Sequence, residues 1–460
     1  MENHPAVNHP PAPLASATDD QEILDNIDGR IHGPMSGFIK KYFGSFQSVH
    51  QDALLEIQAA GRVSRRCAVP SAAPSPDNFL QWFSNYVSRE LDGARGSWHI
   101  SSGNVAPEHE NADDGARLLL AMPILTMPTS PAPDVQTRWD HVFASQPSRL
   151  FLHGFYIRGS LIELWVFDRS GLYCSDVFDV RKDFIQFLSI ILSYQRMTDQ
   201  DLGKINMIET DKGGSYIILD SVAMPSTLGK LYLESQPIAS REGLVGAGTT
   251  CHRARTPDSN RWNHVLKFKW RWARERPEDE LLKLAKKKCV WGAVSLDYYK
   301  EVESTANLRR GLRWGTHRKF ARMRFRERRA SIEEQRQEGI CNADGLAEYT
   351  EETDNFFQNR ILACIVTSPV GRPLHTFQSL TELLQVFHDA IKCHRSLCYD
   401  AKILHQDISP GNMIILDGQD EGKPKGILID LDSDRARGGI GERAWNYRHQ
   451  TIYGYWRSEE

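Results

Sequence analysis

Two kinds of hydrophobic pattern alternate along the chain. Between Leu150 and Phe167, two largely apolar runs, LFLHGFYI and LIELWVF, are joined by Arg158-Gly159-Ser160, which predicts a β-hairpin that leads into the turn Asp168-Arg169-Ser170-Gly171. Apolar residues with helical spacing follow, and they place one face of a predicted helix at Phe184, Phe187, Leu188, Ile191 and Tyr194. The pattern favours an α+β domain with a packed core and no visible chemistry.

The residues before this hairpin are less regular. Residues 1 to about 20 are rich in Pro, Asn and His without periodicity, which is typical of a disordered arm. A helix is predicted from Asp77, as its N-cap, to Gly93. We therefore expect a disordered arm over residues 1–25 and an N-terminal α+β domain over residues 26–227.

Strand patterns resume near Gly229 and carry the first candidate chemistry. The run from Leu244 to Thr250 contains Gly246 and Gly248, with Cys251 where a third glycine would complete G-x-G-x-x-G. Glycines allow a strand turn to bring backbone N–H groups against phosphates. Taken alone, an ordinary glycine-rich hairpin turn is the commoner explanation of this pattern.

A lysine lies inside the next apolar strand, His264-Val265-Leu266-Lys267. Burying an ammonium group is costly unless it has an anionic partner, which phosphates and a helix carboxylate could supply. A helix is predicted to begin at Pro277, and Glu278 precedes two leucines by three and four positions, so Glu278 should lie on the buried face and reach Lys267. Glu280 is an alternative partner, and a lysine that extends from an edge strand to solvent is the alternative to any pairing.

Residues 404–430 hold the most informative pattern. Two apolar runs, Met413 to Leu416 and Gly426 to Ile429, lie on either side of Asp417-Gly418 and predict a second hairpin. We expect this hairpin to bring three polar side chains to one end: Asp407, Asn412 and Asp430.

The spacing H-x-D-x-x-x-x-N, followed by a carboxylate at a strand end, is the set of groups that phosphoryl transfer requires. Asp407 would take or orient the proton of the attacking hydroxyl. Asn412 and Asp430 would hold Mg²⁺, a hard ion that prefers oxygen ligands. A polar turn with ordinary capping carboxylates is the alternative interpretation.

The segments between these motifs supply further elements. A buried strand is predicted over Arg360 to Thr367, and Ser379 with Glu382 forms a capping box that opens a helix from Leu383 to Leu397. The arginine-rich segment from Leu308 to Arg329 fits an RNA- or DNA-binding patch, a nuclear import signal or a solvated insertion. The solvated insertion is favoured because the whole chain is nearly neutral.

Composition limits the class of protein. The 460 residues are 40% hydrophobic, 25% charged and 10% aromatic, with a net charge of -3, which indicates a globular protein with no overall attraction to nucleic acid or membrane. The eight cysteines form no C-x-x-C pair, which argues against a zinc site and for a reducing compartment. No apolar run is long enough to span a membrane and no signal-peptide core is visible, so we expect a cytoplasmic or nuclear protein.

Read together, the motifs resemble the protein kinase fold, and more closely the fungal-type protein kinase family. The similarity is carried by LVGAGTTC, VLKFKW, RPEDELL, TSPVGRPL, LHQDISPGN and LIDLD, and upstream by LFLHGFYIRGSLIELWVFDRSG. It covers about residues 30–460 and implies an α+β protein whose residues 228–460 form a kinase-like bilobal domain. The expected parts are an N-lobe over 228–370, a basic insertion at about 305–340 and a partial C-lobe over 371–460.

The resemblance also implies a role for each candidate residue. Gly246 and Gly248 would cover the phosphates of ATP, Lys267 with Glu278 would position them, Asp407 would be the catalytic base, and Asn412 and Asp430 would bind Mg²⁺. The implied reaction transfers the γ-phosphoryl group of ATP to a Ser or Thr hydroxyl of a protein substrate.

Four features depart from the usual protein kinase pattern. Gln406 replaces the arginine of H-R-D, Ser409 lies where a lysine is common, and Leu431-Asp432 replaces Phe-Gly after the metal-binding Asp. The sequence stops just after Ser458-Glu459, which resembles the end of an A-P-E motif. From this we expect an incomplete C-lobe, with low activity or aggregation unless a partner protein covers it. A pseudokinase or interaction scaffold, and a small-molecule phosphotransferase of the aminoglycoside kinase type, are the alternative functions.

Overall fold

The computed structural model describes residues 30–44, 98–102, 118–122, 143, 146, 148–158, 161–205, 207–220, 228–240, 245–313, 357–418 and 422–431. The chain divides into two compact units. The first comprises residues 1–260, 266–273 and 300–364, and the second comprises residues 261–265, 274–299 and 365–460. The predicted helix from Asp77 to Gly93, the arm, residues 314–329 of the arginine-rich segment and the chain end lie outside the described residues.

The first elements of the first unit form a mixed sheet, a separate pair of strands and one helix. They are β1 (Ile31–His32), β2 (Trp98–Ser102), β3 (Leu118–Met122), β4 (Phe151–Arg158), β5 (Leu161–Asp168), β6 (Gly171–Cys174), β7 (Phe178–Asp179) and α1 (Phe184–Arg196). The sheet order is β1-β6-β5-β4, with β7 on β5, while β2 and β3 form a separate parallel pair. β4 and β5 pair antiparallel, from Phe151 opposite Asp168 to Arg158 opposite Leu161, so the first predicted hairpin is confirmed.

The core of this part lies around β5 and α1. Every residue of β5 after Leu161 is buried, which explains why its sequence is mostly apolar, with only Glu163 and Asp168 charged, rather than alternating. On α1, four of the five residues predicted for the inner face are buried: Phe187, Leu188, Ile191 and Tyr194. The predicted helix is therefore confirmed, and Phe184 lies at its half-buried start.

A larger sheet follows in the chain. Its strands, with the two helices that lie between them in the chain, are β8 (Ile208–Asp211), β9 (Gly214–Ile218), β10 (Lys230–Leu233), β11 (Ala239–Ser240), β12 (Thr250–Arg255), β13 (His264–Trp272), α2 (Glu278–Lys287), β14 (Ser295–Ser304), α3 (Thr305–Leu308) and β15 (Arg360–Ser368). The strand order is β14-β15-β13-β12-β10-β9-β8, with β11 on β12. β15 confirms the predicted buried strand.

The second unit contains the second predicted hairpin. Its later elements are β16 (Arg372–Pro373), a 3₁₀ turn (Leu374–Thr376), α4 (Leu380–Ser396), a π-helical turn (Leu397–Ala401), a 3₁₀ turn (Pro410–Asn412), β17 (Met413–Ile415) and β18 (Gly426–Leu428). β17 and β18 pair antiparallel, with Met413 opposite Leu428, and β16 pairs with β17. The hairpin prediction is confirmed, and α4 packs against β18.

Helix α4 is confirmed with Ser379 as its N-cap, but it begins at Leu380, three residues before the predicted Leu383, and its cap differs in one respect. Ser379 Oγ accepts a hydrogen bond from the backbone N–H of Glu382 at 3.1 Å, which is half of a capping box. The Glu382 carboxylate accepts from the N–H of Gln378 at 2.6 Å and pairs with Arg372. Glu382 therefore connects the helix start to β16. In the part of the chain that the structure describes, no helix has the length and apolar character to cross a membrane.

Candidate active site

His405 joins the predicted catalytic loop to the end of β18. Its ring is buried, and Nδ1 accepts a hydrogen bond from the backbone N–H of Asp407 at 3.4 Å. The other ring nitrogen, Nε2, lies 3.0 Å from the carbonyl oxygen of Ile429. With Nδ1 as acceptor, a neutral ring carries its proton on Nε2 and donates it to Ile429. One side chain thus fixes the loop that carries Asp407 against the strand end that precedes Asp430.

Asn412 makes a second connection between the same two segments. Its side-chain Nδ2 donates to the carbonyl oxygen of Asp407 at 2.9 Å, and its backbone carbonyl accepts from the N–H of Ile429 at 3.0 Å. The remaining side-chain atom, Oδ1, is the type of oxygen that coordinates Mg²⁺. The amide therefore holds the loop closed with its nitrogen while its oxygen is suited to a cation.

Asp430 adopts a backbone conformation that is unusual for its type. Its φ is 64°, in the left-handed region, where a non-glycine residue is uncommon and aspartate is tolerated better than most. Both backbone polar groups of the preceding Ile429 are hydrogen-bonded, to Asn412 and to His405, so the neighbouring chain holds Asp430 in this conformation. Such maintained strain is concentrated at functional sites. The structure thus brings the segments of Asp407, Asn412 and Asp430 together in the second unit.

Asp389 supports this arrangement and is not apparent from the sequence motifs. It lies on α4, is 2% exposed, and its Oδ2 accepts from the backbone N–H groups of Lys425 at 2.7 Å and Gly426 at 3.1 Å. Its other oxygen accepts from Gln385 Nε2 at 3.0 Å. The signal in the sequence is an acid at a helix position three residues after the buried Val386, where a solvated acid is not expected.

The start of β18 also requires a glycine. A Cβ built on Gly426 would lie 2.6 Å from the carbonyl oxygen of Val386 on α4, closer than real Cβ atoms approach backbone. This contact and the Asp389 carboxylate fix β18 to the helix, and β18 leads directly to Asp430.

The glycine loop of the first unit, residues 245–249, is packed against protein. Gly246 N donates to the carbonyl oxygen of Arg169 at 3.2 Å, and the carbonyl of the buried Ala247 accepts from the N–H of Trp270 at 2.7 Å. Gly248 has φ 46°, and a Cβ there would collide with the guanidinium of Arg169. The structure gives Gly248 a packing role and Gly246 a backbone hydrogen bond, and the role of both glycines in covering phosphates stays a prediction.

Glu278 is buried as predicted, whereas Lys267 is less buried than its apolar neighbours indicate. Lys267 lies in β13 between the fully buried Leu266 and Phe268 and is itself half-buried, while Glu278, the first residue of α2, is buried. Glu280, the alternative partner, lies at the surface with its carboxylate 3.1 Å from Arg276. Lys267 belongs to the first unit and Glu278 to the second, so their pairing stays a prediction.

The cysteines that the structure describes form no disulfide, and burial keeps two of their thiols protonated. Burial raises the pKa of the Cys364 and Cys393 thiols to about 12, so both stay protonated at neutral pH as small core residues. Near the catalytic loop, burial and the neighbouring His405 lower the pKa of His394, whose Nε2 lies 3.5 Å from the Cys398 thiol.

The residues proposed for Mg²⁺ fit a site that water and substrate phosphates complete better than a site made by protein ligands alone. Among the described residues, no three His, Cys, Asp or Glu side chains are grouped so that they could hold a metal ion. Asn412 and Asp430 supply one amide and one carboxylate oxygen donor, which suits an ion that keeps several waters and is bound partly by substrate phosphates.

These features define a class of protein. A strand lysine followed by a helix with a buried glutamate, and an H-x-D-x-x-x-x-N loop bonded to a hairpin that ends in aspartate, are the groups of a kinase-type phosphotransferase. The family model for fungal protein kinases matches residues 127–448, well over half of the sequence, and the chain belongs to that family. Among curated proteins, none matches the chain. Membership supports kinase-like phosphoryl transfer as the general chemistry.

Proposed function

We propose that the protein transfers the γ-phosphoryl group of ATP to Ser or Thr hydroxyls of a protein substrate, with Mg²⁺ as cofactor. The observation that carries this proposal is the double attachment of Ile429, whose N–H donates to Asn412 and whose carbonyl bonds to His405. It gives the segments of the proposed base and of the proposed metal ligands one fixed arrangement, and phosphoryl transfer depends mainly on positioning and charge.

Each residue has a separate task in this proposal. Asp407 accepts or orients the proton of the attacking hydroxyl, and Asn412 and Asp430 hold Mg²⁺, which neutralises charge on the phosphates. Lys267, with Glu278 as its partner, contacts the α- and β-phosphates, and Gly246 and Gly248 cover them.

An interaction scaffold that binds no nucleotide is the second candidate, and one observation favours it. The N–H of Gly246 already donates to the carbonyl of Arg169, and the guanidinium of Arg169 fills the space beside Gly248. A loop committed to protein contacts in this way offers fewer free amides to phosphates.

Nucleotide binding separates the two candidates. We expect Mg²⁺-ATP to raise the Tm of the chain, and the increase to disappear in Lys267→Ala and Asp430→Asn, because these remove the phosphate contact and the carboxylate ligand. The exposed Asp258, on the turn between β12 and β13, provides the control Asp258→Asn, which should keep the full increase. An unchanged Tm for the unsubstituted chain at saturating Mg²⁺-ATP would reject the kinase proposal and favour the scaffold.

Substrate class requires a second measurement. Transfer of phosphate to Ser or Thr of a generic basic protein, absent in Asp407→Ala, supports the protein kinase. Nucleotide binding together with phosphorylation of small hydroxyl compounds alone would instead identify a small-molecule phosphotransferase.

A further inference from the structure

The turn between β5 and β6, Asp168-Arg169-Ser170-Gly171, is deeply buried although all of its first three residues are polar. Surface hairpin turns are normally solvated, so a buried polar turn needs partners for its charged and hydrogen-bonding groups. Each of these residues finds them in a distant part of the same unit.

Asp168 and Ser170 attach the turn to the segment after β14. Asp168 forms a bidentate ion pair with Arg309, and its Oδ1 also accepts from the N–H of Ser170 at 2.8 Å. Ser170 Oγ lies 2.8 Å from Thr305 Oγ1 and also bonds to the carbonyl of Gln358. These bonds hold the turn in one position, because a displacement would separate the buried charge of Asp168 from that of Arg309.

Arg169, between these two anchors, contacts the glycine loop. Its carbonyl accepts from Gly246, and its guanidinium lies against Gly248 and over the Phe143 ring, 4.6 Å from the ring centroid. Arg169 is 2% exposed, so its side chain cannot move aside into solvent. The loop is therefore shaped from one side by a turn whose own position is fixed independently.

We propose that the β5–β6 turn is a positioning element for the glycine loop, with Arg169 as the positioning residue. The sheet of β4, β5 and β6 is then part of the machinery that sets nucleotide affinity. The consequence for nucleotide rests on the proposed function, whereas the positioning of the loop can be measured without nucleotide.

Amide hydrogen exchange of residues 245–250 in the full chain tests the positioning directly. In Arg169→Ala we expect the amides of Gly246 and Gly248 to exchange at least about tenfold faster, because the loop loses the group packed against it. Arg181→Ala is the matched control: this arginine lies after β7, is more than a third exposed and pairs only at 3.5 Å with Asp179, so its removal should leave loop exchange unchanged.

A pair of substitutions distinguishes positioning from phosphate contact as the reason for Gly248. Gly248→Ala puts a methyl group where the guanidinium lies and should also speed loop exchange. If the methyl group harms the loop only by colliding with Arg169, it should do little harm once Arg169 is replaced by alanine. The double variant Arg169→Ala/Gly248→Ala should then have a Kd for Mg²⁺-ATP no more than about twofold above that of Arg169→Ala. Because Gly248 has a left-handed φ of 46°, its alanine also adds backbone strain, which would show as faster loop exchange in the double variant than in Arg169→Ala. A further loss of affinity of about tenfold or more without such faster exchange would mean that Gly248 serves the phosphates, and would contradict the role given to Arg169.

Nucleotide affinity completes the test. We expect Arg169→Ala to raise the Kd for Mg²⁺-ATP at least about fivefold. The reason is that the apparent affinity falls in proportion to the fraction of molecules whose glycine loop is in the conformation that binds nucleotide. Unchanged loop exchange in Arg169→Ala, in a variant with cooperative unfolding, overturns the positioning proposal. Faster exchange in a protein that binds no nucleotide even without substitution supports the positioning of the loop and overturns the proposed function instead.

Discussion

Asp168 and Arg309 form a two-point ion pair that is removed from solvent. Arg309 Nε lies 2.7 Å from Oδ2 and Nη2 lies 2.6 Å from Oδ1, and both side chains are at most 1% exposed. The guanidinium also lies over the rings of Tyr173 and Phe357, at 5.0 and 4.3 Å from their centroids. The pair connects the end of β5 with the residue after α3.

Removing one partner of this pair should be severe. We expect Arg309→Ala to lower the free energy of unfolding by about 3–5 kcal/mol, because it leaves the Asp168 carboxylate buried without its counter-charge. Urea denaturation measures the loss. The neighbouring Arg310, which makes an exposed bond to Asn307, supplies the control Arg310→Ala with an expected change under about 1 kcal/mol. Similar losses in the two variants would show that the buried pair contributes no more to the free energy of unfolding than an exposed hydrogen bond does.

The buried His153 should make the protein sensitive to acid. Burial, and to a lesser extent the nearby Arg149, lowers the pKa of His153 to about 4 in the folded protein, whereas an unfolded histidine titrates near about 6.5. Below about pH 6.5 the unfolded state therefore binds a proton that the folded state does not, so stability falls as the pH decreases towards 4. The full loss from this group is on the order of 3 kcal/mol.

His153→Phe tests this linkage because it keeps an aromatic ring among Tyr42, Phe151 and Tyr194, which surround the imidazole. The difference in unfolding free energy between pH 7.5 and pH 5 should become smaller in the variant. Substitution of the exposed His375 by Asn should leave that difference as it is. An equally steep pH dependence in His153→Phe would contradict the assignment.

Asp389 should stabilise the hairpin that leads to Asp430. Asp389→Ala leaves the N–H groups of Lys425 and Gly426 without their acceptor, and that of Gly426 is buried, so we expect a loss of about 2–4 kcal/mol. Asp400, at the exposed end of the same helical segment, bonds to Ser396 Oγ at 2.6 Å and provides the control Asp400→Ala. Thermal denaturation compares the two, and a smaller effect for Asp389 than for Asp400 would refute its supporting role.

Gly426 and Gly229 offer a direct comparison of packing. Gly426→Ala would force the β18 backbone away from α4 and should cost about 2–3 kcal/mol, since the two nearest atoms that it meets are backbone and cannot rotate aside. Gly229→Ala meets nothing within 4 Å and needs no left-handed backbone, so it should be close to neutral. Chemical denaturation of both variants measures the difference. Equal stabilities would show that the separation of α4 and β18 adjusts freely.

The two hairpins and the burial of Glu278 could be predicted from the sequence, because they depend on the spacing of apolar residues that are near one another in the chain. The hairpins of β4–β5 and β17–β18 follow from apolar runs with a short polar interruption, and the burial of Glu278 follows from helical spacing. Residue spacing also led to the loop and strand end that His405 and Asn412 join, since the relevant contacts span only 17 to 24 residues.

Contacts between distant segments were not predictable in this way. Asp389 meets its partners 36 and 37 residues later, and Asp168 meets Arg309 after 141 residues, so neither pairing leaves a periodic signal. The capping box shows a related limit. The sequence indicates that Glu382 should bond back to Ser379, but Arg372 and the N–H of Gln378 take its carboxylate instead.

The first compact unit is assembled from three separate stretches of chain, and the expected domain boundary at residue 228 falls inside it. A fragment that begins at residue 228 would carry Arg309 and Thr305 but lack Asp168 and Ser170, so the buried guanidinium of Arg309 would lose the carboxylate that binds it at two points. For this reason, the upstream sheet and the strands after it cannot be exchanged independently between proteins by recombination at that point, and expression trials should keep them on one polypeptide.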